Sequence, residues 1–498
     1  MKNNNSVILF QPRLGLYDLV VRNIPVGLLS LARELSGRYD VIIIDQRLDG
    51  WREKLDRALH NNPICIGVTC QTGSQIRYAL DVSRSIKQIS NIPVIWGGVH
   101  PTLMPEQTVS NEYIDIVAAG EGEITMREAI DALNEGHSLL NIPGLFYKEN
   151  GVVRGNVSRS GDYDLNAAPP IPYDCIDFRD YAGYAVQNFG KNTYYIETGR
   201  GCPYRCDYCY NSGMGNKLRR SLNAEGILNA ILHLRRFTPL EGVTFIDDSF
   251  LFEKERVFTF TRLLKENKIT IAWNCEANIR DINRMTDAEL AELEASGLIW
   301  LALGVESGSQ RILSTSGKNL NIDDVKEAAA KLAKYNFSTR YNFMSGYIGE
   351  TEKDLKDTTI LIRDLLRNNP RASIRGFTTV VPYPKTSFYS AAIKHGLREP
   401  KRLEDWESFS PADWGELIPW MNTREKHLRR LLYIASFFID KKARINASMN
   451  MMGVIMRVLS FIYRPVAFFR FARHSLFMPV ELWGFFLFKK WVNRKSRA

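Results

Sequence analysis

Cys202, Cys206 and Cys209 fall within Gly199-Arg200-Gly201-Cys202-Pro203-Tyr204-Arg205-Cys206-Asp207-Tyr208-Cys209-Tyr210. Three thiolates spaced C-x3-C-x2-C on one loop can each ligate a different iron of a cubic 4Fe-4S cluster. The fourth iron then has no protein ligand, and an open metal position can bind a small molecule where a closed four-cysteine site cannot. A zinc knuckle is the competing reading, but it wants a fourth Cys or His nearby, and Cys175 and Cys275 are distant in sequence. Seven cysteines in 498 residues, with three so clustered, read as metal ligands in a reducing compartment rather than as a disulfide framework. Oxygen sensitivity follows.

The loop comes directly after a β-rich run, Thr193-Glu197, which opens an alternating series: Gly242-Ile246, Thr270-Asn274, Ile299-Gly304, Thr339-Met344 and Ser373-Val380. Six β/α units predict a partial barrel whose active site lies at the strand C-termini. Polar residues recur at those ends: Asp247 in Phe245-Ile246-Asp247-Asp248-Ser249-Phe250, Arg280 in Asn274-Cys275-Glu276-Ala277-Asn278-Ile279-Arg280, and Glu306 in Gly304-Val305-Glu306-Ser307-Gly308-Ser309. Taken singly, each could be a capping or salt-bridge residue; their places at successive strand ends favour function.

The N-terminal part has its own alternation, Ser6-Phe10, Asp40-Asp45, Ile64-Thr69, Pro93-Trp96 and Ile114-Ala118, with amphipathic stretches between. This specifies a doubly wound parallel sheet covered on both faces, with ligands at the carboxyl ends of its strands. The loops there are Cys70-Gln71-Thr72-Gly73-Ser74, Gly97-Gly98-Val99-His100-Pro101-Thr102 and Gly120-Glu121-Gly122-Glu123. Glycine lets backbone approach a large flat or phosphate-bearing ligand, although tight turns alone would also use it. No G-x-G-x-x-G follows the first strand, which argues against a dinucleotide.

The chain is too long for one core. The α/β pattern divides it into residues 1–150, a Pro-rich linker at 151–190, the barrel at 191–390 and a mainly helical C-terminal region at 391–498. The net charge is +10, and residues 454–498 hold nine Lys/Arg against one Glu. The remainder is nearly balanced, so no nucleic-acid surface is indicated. The C-terminal segment interleaves Phe461, Tyr463, Phe468, Phe469, Phe471, Phe477, Trp483, Phe485, Phe486, Phe488 and Trp491 with basic residues. Charges interrupt every bilayer-length window, so the segment fits a peripheral contact on the inner membrane face; a helical cap whose aromatics fold over the barrel mouth is the alternative. The apolar run Val7 to Phe10 lacks a basic flank and is too short for a secretory signal, so a cytoplasmic location is expected.

The cysteine loop, with an aromatic directly before its last cysteine, resembles the cluster motif of the radical S-adenosylmethionine (SAM) superfamily over roughly residues 190–385. That resemblance implies a 4Fe-4S cluster on Cys202, Cys206 and Cys209, SAM chelated at the open iron, and cleavage to a 5'-deoxyadenosyl radical. Tyr208, Asp247, Arg280 and Glu306 are its candidate SAM-binding residues. Gly346-Tyr347-Ile348-Gly349-Glu350-Thr351 is similar to the family's glycine-rich turn and Pro382-Tyr383-Pro384-Lys385-Thr386 to its proline-rich turn, with Lys385 where glycine is common.

The N-terminal domain, about residues 1–145, resembles the Rossmann-like cobalamin-binding domain of a large radical SAM subfamily. Gln71, Thr72, Gly97, Gly98, His100, Thr102, Gly120, Glu121 and Gly122 are then the cobalamin candidates. None of the seven histidines stands in a D-x-H-x-x-G context, so base-off cobalamin without a histidine ligand is expected. The resemblance implies methylation of an unactivated carbon of a small-molecule substrate, with an external electron donor such as flavodoxin or ferredoxin. The alternatives are an oxidative cyclase like the anaerobic magnesium-protoporphyrin monomethyl ester cyclase, another radical rearrangement, or a cobalamin-binding sensor with an inert barrel.

Overall fold

The computed structural model describes residues 5–15, 18, 22–157, 159, 161, 163–183, 190, 192–215, 218–410, 414–439, 451–484 and 487. The N-terminal sheet contains β1 (Ser6–Gln11), β2 (Asp40–Asp45), β3 (Ile66–Thr69), β4 (Val94–Gly97), β5 (Ile116–Ala118), β6 (Leu145–Glu149) and β7 (Val152–Gly155), in the order β2-β1-β3-β4-β5-β6-β7. The first five strands pair in parallel. Val7, Ile8, Leu9 and Phe10 are fully buried, as an apolar strand covered by helices on both faces must be. Strand order reverses between β1 and β3, so the crevice beyond their carboxyl ends is the natural ligand position.

The hairpin β6–β7 was not expected. It is antiparallel and turns through Asn150 and Gly151, both at positive φ, the Asn-Gly turn whose twist matches a two-residue β-hairpin. The sheet therefore runs past residue 150. The stretch read as a linker is a strap: Tyr173, Phe178 and Tyr181 are buried, Phe178 packs edge-on against Tyr194 at 4.8 Å, and the Tyr181 hydroxyl donates to Asp45 at 3.0 Å.

The second sheet contains β8 (Thr193–Ile196), β11 (Gly242–Phe245), β12 (Ala272–Ala277), β13 (Leu298–Glu306), β14 (Ser338–Ser345) and β15 (Ala372–Thr379), while β9 (Gly199–Arg200) and β10 (Arg220–Ser221) form a separate antiparallel ribbon. Its six strands are parallel and in sequential order. The sheet curls into a half-barrel, matching the expected partial (β/α)6 architecture. Helices such as Ala224–Leu234, Lys254–Glu266 and Glu352–Asn368 alternate with the strands; Thr351 starts the last of these with a capping box to Asp354, which satisfies end amides that would otherwise lack partners.

The C-terminal region has short 3-10 turns at Leu403–Ser408 and Trp414–Glu416 and helices at Thr423–Ile439 and Met451–Arg473. Trp406, Phe409 and Trp414 join the apolar core on one face of the N-terminal sheet. Phe485, Phe486, Phe488 and Trp491 lie outside the described residues.

Candidate active site

The cysteine loop leaves β9 at Gly201, whose φ is +84° and where a Cβ would stand 2.3 Å from the Leu218 carbonyl oxygen; glycine is required there. Backbone hydrogen bonds tie the loop to two helix ends: the Asp207 amide donates to the carbonyl of Ser316 (3.1 Å), which caps the helix Gln310–Thr315, and the Phe388 amide, in the first turn of the helix Ser387–Lys394, donates to the Asp207 carbonyl (3.0 Å). The three thiols are partly buried. Burial raises the Cys202 pKa and pushes Cys209 up to about 12, so metal loading must draw off these protons. Cys275 is buried on β12 and Cys175 is on the strap, so neither extends the loop's donor set. No three His, Cys, Asp or Glu side chains among the described residues converge tightly enough for a single metal ion. Three thiolates on separate irons of one cluster need no such convergence, and the donor set fits a cluster with one open iron.

Lys318 supplies positive charge beside these thiols. Its ammonium lies 3.0 Å from the Glu306 carboxylate and both side chains are nearly buried. Burial alone would lower the lysine's pKa; Glu306 and then Cys206 and Cys209 outweigh it and leave it raised. Glu306 closes β13 at φ +71°, a left-handed conformation that costs a non-glycine residue on the order of 1–3 kcal/mol. Gly304 makes room for the pair, since a Cβ there would stand 2.5 Å from Glu306 Oε1 and 2.9 Å from Lys318 Nζ. Tyr208 is held beside it, edge-on to Tyr347 at 6.0 Å.

Asp247 faces inward. It accepts from the Thr198 amide (2.7 Å) and hydroxyl (2.9 Å) and pairs with Arg219 (3.1 Å) and Arg256 (3.4 Å). It clamps the ends of β8 and β11 beneath the cysteine loop, and its side chain is fully enclosed. The carboxylate that opens to the site is its neighbour, Asp248, which is exposed. Although it reaches solvent, the protein packed around its carboxylate partly desolvates it and raises its pKa, and it interacts electrostatically with Cys202 and Cys209. Alternation of side chains past a strand end is the signal that separates the two. Arg280 sits over the Tyr204 ring of the cysteine loop at 5.5 Å.

In the other domain, Gln71 lies at the β1/β3 switch point, with its amide held by Gln75 Oε1 at 2.7 Å and its side chain exposed. Gly98 has φ +98°, and a Cβ there would meet the Cys70 carbonyl oxygen at 2.9 Å. Thr102 joins the neighbouring loops by donating to the Gly98 carbonyl (2.7 Å) and accepting from the Gly120 amide (2.9 Å). Gly97 ends β4 and Gly122 opens the helix Gly122–Glu135 that follows β5, and both are partly buried. His100 is fully buried, 3.0 Å from the Thr72 hydroxyl and edge-on to Trp406 at 5.6 Å. Burial depresses its pKa to about 3.

Glu121 has a different task. It pairs with Arg220, one of whose contacts is 2.9 Å, and with Arg200 at 3.4 Å. Arg200 also contacts Glu123 at 2.5 Å and Glu197 at 2.7 Å. These pairs bring the loop after β5 against the ribbon that leads into the cysteines, a contact between domains that sequence reasoning did not anticipate. The helix Tyr210–Met214 adds to this interface, because a Cβ on its Gly213 would lie 2.8 Å from the Pro384 carbonyl oxygen and 3.1 Å from Leu103.

Residues 18–130 match the family model of the B12 binding domain and residues 196–362 that of the Radical SAM superfamily. The chain therefore carries a B12-binding domain followed by a radical SAM domain. It is 28% identical over 437 residues to the uncharacterized methyltransferase PH0819 of Pyrococcus horikoshii, covering 87% of this chain and 92% of that protein. To the anaerobic magnesium-protoporphyrin IX monomethyl ester cyclase of Synechocystis sp. it is 24% identical over 434 residues, covering 82% and 83%. Among solved structures, the cobalamin-dependent radical SAM enzyme OxsB with aqua-cobalamin and SAM bound superposes with a TM-score of 0.66 at 17% identity, over 99% of this chain and 80% of that one.

Proposed function

We propose that this enzyme cleaves SAM reductively at a 4Fe-4S cluster on Cys202, Cys206 and Cys209 and methylates an unactivated carbon of a small molecule. The observation that carries this reading is that the three-thiol loop is tied to the ends of two barrel helices and faces the Lys318–Glu306 pair, while the Gln71, Gly98 and Thr102 loops stand on the adjoining domain. When bound, the cluster supplies the electron for SAM cleavage and cobalamin carries the methyl group. The protein's own residues hold, orient and exclude water. Lys318 offers a cation for the carboxylate of SAM, and Asp248 and Glu306 offer acceptors for its amino group and ribose. Cobalamin is bound base-off, since His100 is enclosed by Thr72 and Trp406 and the exposed side chain at the switch point is Gln71. An external flavodoxin or ferredoxin delivers the electron.

A second reading, oxidative cyclisation without net methyl transfer, is favoured by the similarity to the magnesium-protoporphyrin cyclase over 83% of that enzyme's length. Anaerobic reconstitution with iron, sulfide and hydroxocobalamin, followed by SAM and a strong reductant, distinguishes the two. Methylation produces S-adenosylhomocysteine together with 5'-deoxyadenosine, whereas cyclisation produces 5'-deoxyadenosine alone. Cys206→Ala should abolish both products; a variant that keeps wild-type 5'-deoxyadenosine formation overturns the cluster assignment.

A further inference from the structure

Residues 418–429 lie beyond the last barrel strand, yet they hold the turn that follows β14. Gly346 opens that turn, with φ +98°. It is buried, so its N–H and C=O both need partners. The amide donates to Glu350 Oε2 at 2.7 Å, and the carbonyl accepts from Trp420 Nε1 at 3.2 Å. The same Glu350 oxygen accepts from Arg429 Nε at 3.1 Å and Nη2 at 2.9 Å. Both of these side chains are enclosed, Arg429 at 5% and Glu350 at 0% exposure. The C-terminal region also closes the turn sterically, because a Cβ on Gly346 would stand 3.1 Å from Ile418 Cδ1 and 3.6 Å from Met421 Cε.

The turn carries Tyr347 as its next residue. That side chain is buried and stands edge-on to Tyr208 of the cysteine loop at 6.0 Å and to Phe388 at 6.2 Å. Phe388 in turn is edge-on to Trp420 at 6.0 Å, and its amide holds the Asp207 carbonyl. Edge-to-face ring pairs orient their members as well as bury them. Trp420 therefore controls both supports of the loop, Tyr347 through the hydrogen bond to Gly346 and Phe388 through the ring contact. Tyr208, Tyr347, Phe388 and Trp420 pack in one apolar cluster.

We infer that Trp420 and Arg429 are positioning residues for the cysteine loop, acting through Gly346, Tyr347 and Phe388, so that the C-terminal region sets the geometry in which Tyr208 and the three thiolates meet SAM. Arg429 acts through charge: without its cation a buried carboxylate is neutralised or leaves the core, and the Gly346 amide loses its acceptor. Trp420 acts through direction: holding the Gly346 carbonyl fixes the plane of the peptide that leads into Tyr347. A displacement of about 1 Å caused by a remote substitution can cost on the order of a hundredfold in a site that depends on alignment. The inference rests on the reading of the loop as a cluster site that binds SAM.

The test is equilibrium binding of SAM to the full-length reconstituted enzyme, kept unreduced so that SAM is not cleaved, with iron and sulfide content and thermal unfolding measured alongside. Trp420→Phe keeps an aromatic ring against Phe388 and removes the N–H donor; Arg429→Met removes the cation and Arg429→Lys keeps it. SAM affinity should fall by about tenfold in Trp420→Phe and Arg429→Met at unchanged iron and sulfide content, and recover to within about threefold of the wild type in Arg429→Lys. Arg470→Met breaks a different buried pair of the C-terminal region, 2.9 Å from Glu481; it should lower the unfolding temperature and leave SAM affinity unchanged. Wild-type affinity in both Trp420→Phe and Arg429→Met overturns the inference and leaves the contacts a purely structural role. An equal loss in Arg470→Met also overturns it, as the mark of general loosening. A wild type that assembles no cluster or binds no SAM refutes the underlying reading and the inference with it.

Discussion

The Arg200 guanidinium lies 2.5 Å from the Glu123 carboxylate, although 77 residues separate them and they belong to different domains. Arg200 is two positions before Cys202 and Glu123 is in the first turn of the helix after β5, so one ion pair joins the cysteine loop to the B12-binding domain. Burial would raise the pKa of Glu123, but the charge and hydrogen bond of Arg200, with a further hydrogen bond from Ser30, leave it lowered.

Arg200→Ala should therefore destabilise the protein by about 3–5 kcal/mol at neutral pH, because it leaves buried carboxylates without their cation. A group whose folded pKa is depressed contributes stability above its unfolded value, here 4.5, and loses it as the pH falls further. The wild-type advantage over Arg200→Ala should shrink below that pH. Urea denaturation of both proteins at neutral and acidic pH checks the prediction.

Lys318 and Glu306 should shift the cluster potential in opposite directions. Removing the cation with Lys318→Met should lower the midpoint potential by on the order of 50 mV, and Glu306→Gln should raise it, since a nearby positive charge favours the reduced cluster. A merely structural pair would give shifts of the same sign. Redox titration followed by electron paramagnetic resonance measures both, and SAM binding should weaken in each variant.

Lys385 keeps the glycine-like backbone of its turn, with φ +61°. Lys385→Gly should relieve about 1–2 kcal/mol of left-handed strain and add unfolded-state freedom that offsets part of it, leaving a net gain of roughly 0.5–1 kcal/mol. Thermal unfolding reads the gain. If SAM cleavage by the more stable variant is unchanged but substrate turnover falls, the exposed lysine serves substrate binding.

His100 makes stability depend on pH in the opposite way from a paired histidine. Its folded pKa of about 3 lies below the unfolded 6.5, so between these values the unfolded chain binds a proton that the native state does not, and stability falls with pH across that window. At pH 5 the loss relative to pH 7 should be about 2 kcal/mol from this residue. His100→Gln should remove that component in urea titrations of the unloaded protein at the two pH values.

Much of the architecture was legible in advance. Alternating apolar runs and helical stretches marked both parallel sheets, because a strand buried on both faces has to be continuously apolar. The cysteine spacing marked the loop that the radical SAM domain carries after its first strand, a local pattern within one segment of chain. The hairpin β6–β7 carried a local signal, Asn150-Gly151, within reach of the sequence.

The rest required the tertiary structure. Asp247 and Asp248 are adjacent and chemically identical, and only the direction of each side chain at the end of β11 sends one to Arg219 and Arg256 and the other towards the thiols. Lys318 enters the site because the chain after β13 returns to Glu306, and Glu121 meets Arg220 because the domains dock. Sequence determined the ligands and periodicities, which depend on neighbours along the chain. Which charges pair and which faces stay open depends on burial between distant segments, and that was decided only when the two sheets came together.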